Sequence, residues 1–234
     1  MEEIFYFFNK PSDIVQELRF ENRVSLSEWD TLLALGWRHN GKMMFCTSHD
    51  IDDDGHLCTV LPLRYRLKEF ELSKSQRKIF QKNQDLTHIV RPVKIDDEKH
   101  ALFFKHIEKF RDRKPNSIWD FVSPEPRRPF QTWELCVFNA DKKMVACSFF
   151  DLTTHSLSST YAMYDLEEGK RSLGIFTMIL EINFAIEKNK RFYYPGYVYD
   201  RNSFYDYKKK FAKTEYFDWS LKTWLPYKWS GQKQ

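Results

Sequence analysis

The chain has 234 residues, of which 42% are hydrophobic and 17% aromatic, enough for one large or two small domains with a sizeable core. Its 37 basic and 33 acidic side chains give a net charge of +4, which permits a local contact with nucleic acid but argues against a surface that coats a duplex. Seven glycines and nine prolines exclude a collagen-like or low-complexity chain, and four cysteines are too few for a disulfide framework.

The start of the chain, MEEIFYFF, contains two acidic residues and only a short apolar run. A signal peptide needs a basic start and a longer apolar run, and a membrane span needs about 18 apolar residues. The sequence therefore predicts a cytoplasmic protein with no membrane partner. It gives no indication of the oligomeric state.

The first half of the sequence predicts three helices and one strand. Residues 25–36 predict a helix capped by a serine and ended by Gly36, and Asn40-Gly41 predicts a hairpin turn. Residues 56–70 predict a strand in which alternation places Arg64 on the polar face. Residues 73–86 predict a basic helix with a capping box of Ser73 and Gln76, and residues 96–113 predict an amphipathic helix.

The proline-rich segment 123–130 predicts a linker between an N-terminal region, residues 1–122, and a C-terminal domain, residues 130–234. In the C-terminal part, two strands flank a hairpin turn at Asn139, and a third strand covers residues 156–165. A helix over residues 171–188 and a strand over residues 191–199 follow. This order predicts an α+β protein with a GNAT-like acyltransferase fold in the C-terminal half and a smaller α/β N-terminal part.

The stretch YDLEEGKRSLGIF, residues 164–176, predicts a strand end, a turn and a helix start that contains Arg171 and Gly174. Backbone N–H groups at a helix N-terminus are suited to bind phosphate. The alternative is that Gly174 only allows close packing and that Arg171 only faces solvent. Phe176 stands where a coenzyme A site has glycine or alanine, and its ring is expected to crowd a pyrophosphate.

Two further features have both a functional and a structural interpretation. Glu181 follows Gly174 and Thr177 on one helix face, where it either lines a groove shared with the helix N-terminus or faces solvent. The tail 203–229 mixes lysines with aromatic residues, a composition suited to single-stranded nucleic acid, or to a helix and a strand that complete the sheet. Lys208 is the candidate contact in this tail.

Cysteines, histidines and aspartates gather between Cys46 and Cys58. The spacing of the two cysteines fits no structural zinc motif, and the DIDDDG stretch lacks the glutamate that ends a calcium loop. The sequence therefore predicts no metal site. It also predicts no cofactor.

Several segments in this order resemble the aminoacyl-tRNA–protein transferases, which comprise the arginyltransferases and the bacterial aspartate/glutamate leucyltransferases of the N-degron pathway. The resemblance runs through residues 36–41 (GWRHNG), 62–64 (PLR), 73–86 (SKSQRKIFQKNQDL), 164–182 (YDLEEGKRSLGIFTMILEI), 193–199 (YYPGYVY) and 207–217 (YKKKFAKTEYF). The Ser-x-Ser-Gln-Arg helix start, Arg-Ser-Leu-Gly and the Gly-Tyr of residues 196–197 are its strongest marks. One departure is the cysteine cluster of the family, of which Cys46 and Cys58 remain without a paired motif.

The resemblance implies an enzyme of the arginyltransferase type, which transfers an amino acid, arginine or leucine, from charged tRNA to the N-terminal α-amine of a protein with an acidic N-terminus. This transfer marks that protein for degradation. The partners it implies are an aminoacyl-tRNA donor and a protein or peptide acceptor. The residues it assigns to the tRNA are Arg171, Ser172, Gly174, Arg64, Arg77, Lys78 and Lys208. It assigns catalysis to Glu181 and Tyr197 and acceptor binding to Arg38 and His39. The alternatives are a GNAT enzyme that uses acyl-coenzyme A and a non-catalytic relative that binds tRNA or peptide.

Overall fold

A mostly antiparallel sheet of nine strands forms the centre of the structure, a computed structural model that describes residues 14–52, 54–110, 114–125 and 129–228. In chain order the elements are β1 (Gln16–Phe20), α1 (Leu26–Ala34), β2 (Arg38–Asn40), β3 (Met43–Thr47), β4 (His49–Ile51), β5 (Leu57–Arg66), α2 (Lys74–Lys82), β6 (Thr87–Pro92), α3 (Asp97–Ile107), β7 (Thr132–Phe138), β8 (Met144–Leu152), β9 (Ser156–Tyr164), α4 (Leu173–Glu187), β10 (Phe192–Tyr199), β11 (Thr214–Asp218) and β12 (Thr223–Pro226). Short 3-10 helices cover Ile118–Asp120, Leu166–Arg171 and Phe204–Lys210.

The strand order of the large sheet is β12-β11-β5-β10-β9-β8-β7-β6, with β4 paired to β5. Strands β1, β3 and β2 form a separate small sheet. In the described ranges of the chain, β9 and β10 are the parallel pair, and the other strand pairs are antiparallel. Because parallel neighbours need a crossover, α4 connects β9 to β10 across one face of the sheet.

Helices cover both faces of the C-terminal part of the sheet. One core cluster packs α4 against β7, β8 and β10, and a second packs α3 against the opposite face of β7, β8 and β9. Eight of the nine residues of β8 are buried for this reason, and its sequence is apolar along both faces. Helix α4 is buried along most of its circumference and is correspondingly apolar, with Glu181 among its buried residues.

This topology confirms the predicted α+β class and the order of three antiparallel strands, a helix and a strand parallel to the third. The predicted boundary between residues 122 and 130 stays a prediction, and residues 126–128 of that segment lie outside the described ranges. Strands β5 and β6, which precede that segment in the chain, lie in the same sheet as β7–β12.

Local sequence signals agree with the elements at several places. Ser73 and Gln76 form the predicted capping box of α2, and Asn40-Gly41 joins β2 to β3. The predicted helix over residues 171–188 is α4, which begins two residues later because a 3-10 helix ends at Arg171. The helix predicted for residues 96–113 ends at Ile107, and residues 111–113 lie outside the described ranges. Within those ranges the structure has no helix long and apolar enough to cross a bilayer.

Candidate active site

The central sheet opens between β9 and β10. These strands pair only where Phe192–Tyr194 lies beside Ser156–Ser158. Farther along, β10 pairs with β5 and its register shifts before Gly196, whose φ is +99°. Strand β9 also bulges, because its register with β8 shifts between Ser159 and Tyr161. The resulting gap, between residues 159–164 of β9 and 196–199 of β10, is called the strand opening below.

Glu181 of α4 is buried beside the start of the strand opening. Its Oε2 accepts a hydrogen bond of 2.6 Å from the Tyr193 hydroxyl, and no described residue donates a hydrogen bond to its Oε1. Burial raises the pKa of this carboxyl to about 7, although the nearby hydroxyls of Ser148, Tyr193 and Ser159 lower it. Near neutral pH the carboxyl therefore exists in both protonation states, which suits a group that accepts and returns a proton.

The Lys208 ammonium lies at the bulge of β10. Its Nζ donates to the Tyr197 carbonyl oxygen at 3.5 Å and lies 4.9 Å from the centroid of the Tyr205 ring. A Cβ at residue 196 would lie 3.4 Å from the same Nζ, so glycine leaves this approach open. Burial, and then repulsion by Arg38, lower the pKa of Lys208 to about 8. None of the carboxylates in the described ranges forms an ion pair with it.

The N-terminal end of α4 borders the same opening. Ser172, exposed and in the left-handed region with a φ of 56°, precedes the helix and accepts hydrogen bonds from the N–H groups of Ile175 and Phe176 through its carbonyl oxygen. A Cβ on Gly174 would lie 3.2 Å from Cε1 of Tyr164, which supports the packing interpretation of this glycine. The packing contact also brings Tyr164, the last residue of β9, to the start of α4.

Arg171 is held by two carboxylates. Its Nη1 and Nη2 donate to the two oxygens of Asp85 at 2.9 Å each, and its Nε donates to Glu168 at 2.8 Å. A guanidinium has five N–H groups, so two N–H groups are left over by these three bonds. The surroundings are mixed in charge, since Lys82, Lys170, Glu167 and Glu168 line the same surface cavity of about 590 Å³.

Comparison with known proteins assigns this arrangement to a family. The family described as arginine-tRNA-protein transferase, C terminus, matches residues 76–218, which include α4, the strand opening and Lys208. The chain belongs to this transferase family. The match covers more than half of the chain and confirms the resemblance noted in its sequence.

Individual relatives are more distant. The chain is 28% identical to an aspartate/glutamate leucyltransferase of Nitrosococcus oceani over 86% of this chain and 85% of that protein. It is 27% identical to the enzyme of the same description from Hahella chejuensis over 74% of this chain and 73% of that protein. A solved structure of L-PGS from Bacillus licheniformis superposes with a TM-score of 0.48 at 11% identity, over 79% of this chain and 55% of that chain, so this transferase spans just over half its length.

Family membership makes the protein an aminoacyl-tRNA–protein transferase, an enzyme with a charged tRNA as donor and a protein N-terminus as acceptor. The predicted basic residues of this transferase occupy different environments. Arg64 donates to Glu215 at 2.7 Å, and its guanidinium carbon lies 4.2 Å and 4.4 Å from the ring centroids of Phe192 and Trp224. Arg77 and Lys78 are exposed on α2, where Arg77 also donates to the Leu72 carbonyl oxygen.

The residues predicted for acceptor binding are both buried. Arg38 donates to the carbonyl oxygens of Trp37 and Leu63, and burial lowers its pKa to about 10. His39 bonds Asp151 at 2.5 Å through Nε2 and the Gly41 carbonyl oxygen at 3.0 Å through Nδ1. Arg38 therefore reaches β5 beside the strand opening, while both ring nitrogens of His39 are engaged within the fold.

The predicted role of Phe176 is wrong in one respect. Its ring is buried in the core cluster beneath α4, 6.1 Å from the ring of Phe80. The side chain therefore does not crowd the helix entrance, and it gives no argument against coenzyme A. Helical periodicity explains the error, because the residue two positions after Gly174 points toward the sheet.

Two residues of the site lack a clear signal in the sequence. Tyr193 contacts Glu181, but in the sequence it is one of several tyrosines in a strand. Lys109 follows α3, and its Nζ lies 3.4 Å from the Tyr164 hydroxyl. Residues 109 and 164 are distant in the chain and meet because α3 packs on β9. A pattern within either element could therefore not indicate the contact.

The cysteines occupy separate parts of the fold. Cys46 lies in β3 of the small sheet, whereas Cys58 lies in β5 and donates to Asp52 at 3.5 Å. Cys136 and Cys147 face each other across β7 and β8 with their sulfur atoms 3.7 Å apart, next to Glu134. Arg91 and Lys99 already surround the Glu134 carboxylate at 2.6 Å and 3.4 Å, so its charge is balanced by protein cations.

Proposed function

We propose that this transferase moves leucine from leucyl-tRNA to the α-amine of proteins whose first residue is aspartate or glutamate, in the cytoplasm where charged tRNA is made. Its product then enters an N-degron pathway for degradation. The relatives described as aspartate/glutamate leucyltransferases support the choice of leucine and of an acidic acceptor. The observation that carries the proposal is the match to the transferase family over α4 and the strand opening.

The reaction forms one amide bond and breaks one ester bond. The acceptor amine attacks the ester carbonyl carbon, the ribose oxygen leaves, and the proton lost by the amine ends on that ribose oxygen. An α-amine has a pKa of about 7.7–8.0, so a useful fraction is neutral at cellular pH. Much of the rate can therefore come from holding amine and ester about 3–3.5 Å apart, with a proton acceptor nearby.

Glu181 is the proposed proton acceptor. Its raised pKa, near 7, lies close to that of the acceptor amine, and the Tyr193 hydroxyl bonded to Oε2 fixes the orientation of the carboxyl. Tyr197 is proposed to lie beside the reacting carbonyl, since it follows the bulge at Gly196. The proton on Glu181 would then be delivered to the leaving ribose oxygen, through Tyr193 or directly.

The donor is proposed to lie along the N-terminal end of α4. Arg171, with two N–H groups left over by its carboxylate bonds, and the backbone near Ser172 and Gly174 are the proposed contacts of the tRNA 3′ end. Lys208 is proposed to hold the same end at the β10 bulge. Arg64, Arg77 and Lys78 are the proposed extension toward the acceptor stem, in which the exposed Arg77 and Lys78 have the freer side chains.

The acidic acceptor is proposed to meet Arg38. Its guanidinium forms no ion pair with a carboxylate of the described residues, and Nε has no hydrogen-bond partner among them. A carboxylate beside it would therefore gain a charge-assisted hydrogen bond. The proposed contribution of His39 is indirect, because its bonds to Asp151 and Gly41 hold the strand that carries Arg38.

A matrix of donors and acceptors tests the proposal. Purified protein is incubated with leucyl-tRNA, arginyl-tRNA or acetyl-coenzyme A and with peptides that begin with Asp, Glu, Arg, Lys or Ala, and product masses are measured. We expect leucine addition to the Asp and Glu peptides. Addition of arginine alone, of acetyl alone, or of leucine to Lys peptides as readily as to Asp peptides would contradict the proposal.

A further inference from the structure

Lys109, just after α3, carries a positive charge next to the strand opening. Its Nζ lies 3.4 Å from the Tyr164 hydroxyl and 4.6, 4.8 and 5.5 Å from the ring centroids of Tyr164, Phe110 and Phe204. No carboxylate in the described ranges forms an ion pair with it. Burial among these rings lowers the pKa of Lys109 to about 8, which leaves the ammonium largely charged at neutral pH.

Neighbouring cations differ from Lys109 in this respect. Lys105, four residues earlier and within α3, lies 3.9 Å from Asp165, and Arg171 is bonded to Asp85 and Glu168. A phosphate that approached either of these would compete with a carboxylate already in place. At Lys109 the ammonium has aromatic neighbours and, among the described residues, no such competitor, so an incoming anion would supply a countercharge.

The rings around Lys109 connect it to the reaction site. Tyr164 is the residue against which Gly174 packs at the start of α4. Phe204, which follows β10, contacts the rings of Tyr205 and Tyr207 but is 68% exposed, so much of its ring is open to solvent. Lys109 therefore lies at the mouth of the strand opening, between the end of β9 and the segment after β10.

His106 provides an independent sign that this cluster is incomplete. It is 1% exposed, its Nδ1 lies 3.0 Å from the Tyr164 N and 3.1 Å from the Tyr164 carbonyl oxygen, and its Nε2 has no partner among the described residues. Burial and the charge of Lys109 lower the pKa of His106 to about 4, so the ring stays neutral. Buried polar atoms without partners are uncommon in folded proteins.

We propose that Lys109 binds a phosphate of the single-stranded 3′ end of charged tRNA and that the exposed ring of Phe204 stacks on a terminal base. Lysine beside an exposed aromatic ring is the combination by which proteins hold single-stranded nucleic acid, where the cation contacts the backbone and the ring contacts a base. The assignment rests on the proposed function and adds Lys109, which the sequence did not indicate, to one residue of the aromatic tail.

The test measures binding of deacylated leucine tRNA at several salt concentrations. Lys109→Met keeps the length and apolar stem of the side chain and removes its charge, so we expect affinity to fall about 10- to 150-fold. Because one phosphate contact is lost, the slope of log affinity against log salt should also become shallower by about 0.7. Lys105→Met is the matched control, and it should leave both quantities close to those of the unchanged protein.

Phe204→Ala is the second variant, since an exposed residue can be changed without loss of folding. Its affinity should fall about 5- to 150-fold with an unchanged salt slope, because stacking on a base involves no charge. If Lys109→Met melts normally and keeps its affinity and slope, the phosphate contact is overturned, and if Phe204→Ala also keeps its affinity, the whole site is overturned. Should Lys109→Met fail to fold, the result for Phe204→Ala decides. An unchanged protein that neither binds this tRNA nor transfers leucine would overturn the proposed function itself, and this site with it.

Discussion

At the scale of single residues, the burial of one carboxyl determines its chemistry. Glu181 is fully enclosed by α4 and the sheet, and this burial raises the pKa of its side chain to about 7. The Tyr193 hydroxyl bonds one oxygen and stabilises the charged form, which limits the rise. An exposed glutamate on the same helix would have stayed ionised throughout the physiological range.

Glu181→Gln is expected to slow transfer by about 100-fold or more while leaving the affinity for charged tRNA close to that of the unchanged enzyme, because it removes a proton acceptor and little volume. With Glu181 present, the rate should rise between about pH 6 and 8 as the carboxyl and the acceptor amine lose their protons. In the Gln variant the rise near pH 7 should disappear, leaving the titration of the amine. A Gln variant with the same rate and the same pH profile would show that Glu181 takes no proton.

Deprotonation of Glu181, which should raise the transfer rate, should lower the stability of the fold. The pKa of Glu181 is higher in the folded chain than in the unfolded chain, so protonation favours folding, and the free energy of unfolding falls as pH rises from about 4.5 to about 7. The loss amounts to about 3 kcal/mol above that window. Glu181→Gln should therefore melt at a higher temperature than the unchanged protein at pH 8 and at a similar temperature at pH 4.5. Melting curves at the two pH values measure this, and an equal difference at both would contradict it.

Arg171→Ala is expected to weaken donor binding by about 10- to 150-fold through loss of a charge-assisted contact. The control is Asp85→Asn, which removes the carboxylate that holds the guanidinium while keeping the arginine. It should preserve donor affinity or improve it, because one competing anion is gone. The Michaelis constant for leucyl-tRNA and the melting temperature are measured for both variants. Full affinity in an Arg171→Ala protein that melts normally would leave this arginine a purely structural role.

At the scale of elements, local signals predicted those features whose causes lie close together in the chain. The capping box of Ser73 and Gln76, the turn at Asn40-Gly41 and the buried helix α4 each depend on residues within one or two turns. Strand β6 escaped prediction because its residues are mostly exposed and its partner β7 lies some 40 residues later in the chain. The 3-10 helix before α4 was not predicted as a separate element, because its composition is that of a helix start.

Gly174→Ala tests how α4 meets β9. Alanine favours a helix by about 1 kcal/mol over glycine, but its Cβ would lie 3.2 Å from Cε1 of Tyr164 and would displace that ring. We therefore expect no gain in melting temperature and a several-fold loss of donor affinity. Gly169→Ala is the matched control, because a Cβ there meets no atom within 4 Å, and it should change neither quantity. Higher stability and unchanged affinity in Gly174→Ala would show that the Tyr164 ring can move aside without cost to folding or donor binding.

At the scale of the whole molecule, the fold class and the family were predictable, and the detailed site was only partly so. Motifs spread over the chain indicated the transferase family, and Glu181 and Lys208 were named as candidates before any contact was known. The pairs that define the site join distant parts of the chain, as Arg171 with Asp85, Glu181 with Tyr193 and Lys109 with Tyr164 show. Periodicity places a residue on a face of its own element, but it does not identify the residue opposite, which is why the burial of Arg38 and His39, assigned to acceptor binding, was not predicted.

The most direct test measures formation of the amide bond between leucine and the α-amine of the acceptor. Leucyl-tRNA carrying labelled leucine is mixed with the purified protein and a peptide that begins with aspartate, alongside the same peptide with its α-amine acetylated, and the label in each peptide is measured. We expect label on the free peptide, none on the acetylated peptide, and a strongly reduced rate with Glu181→Gln. Equal labelling of the two peptides, or no labelling of either by the unchanged protein, would contradict this expectation.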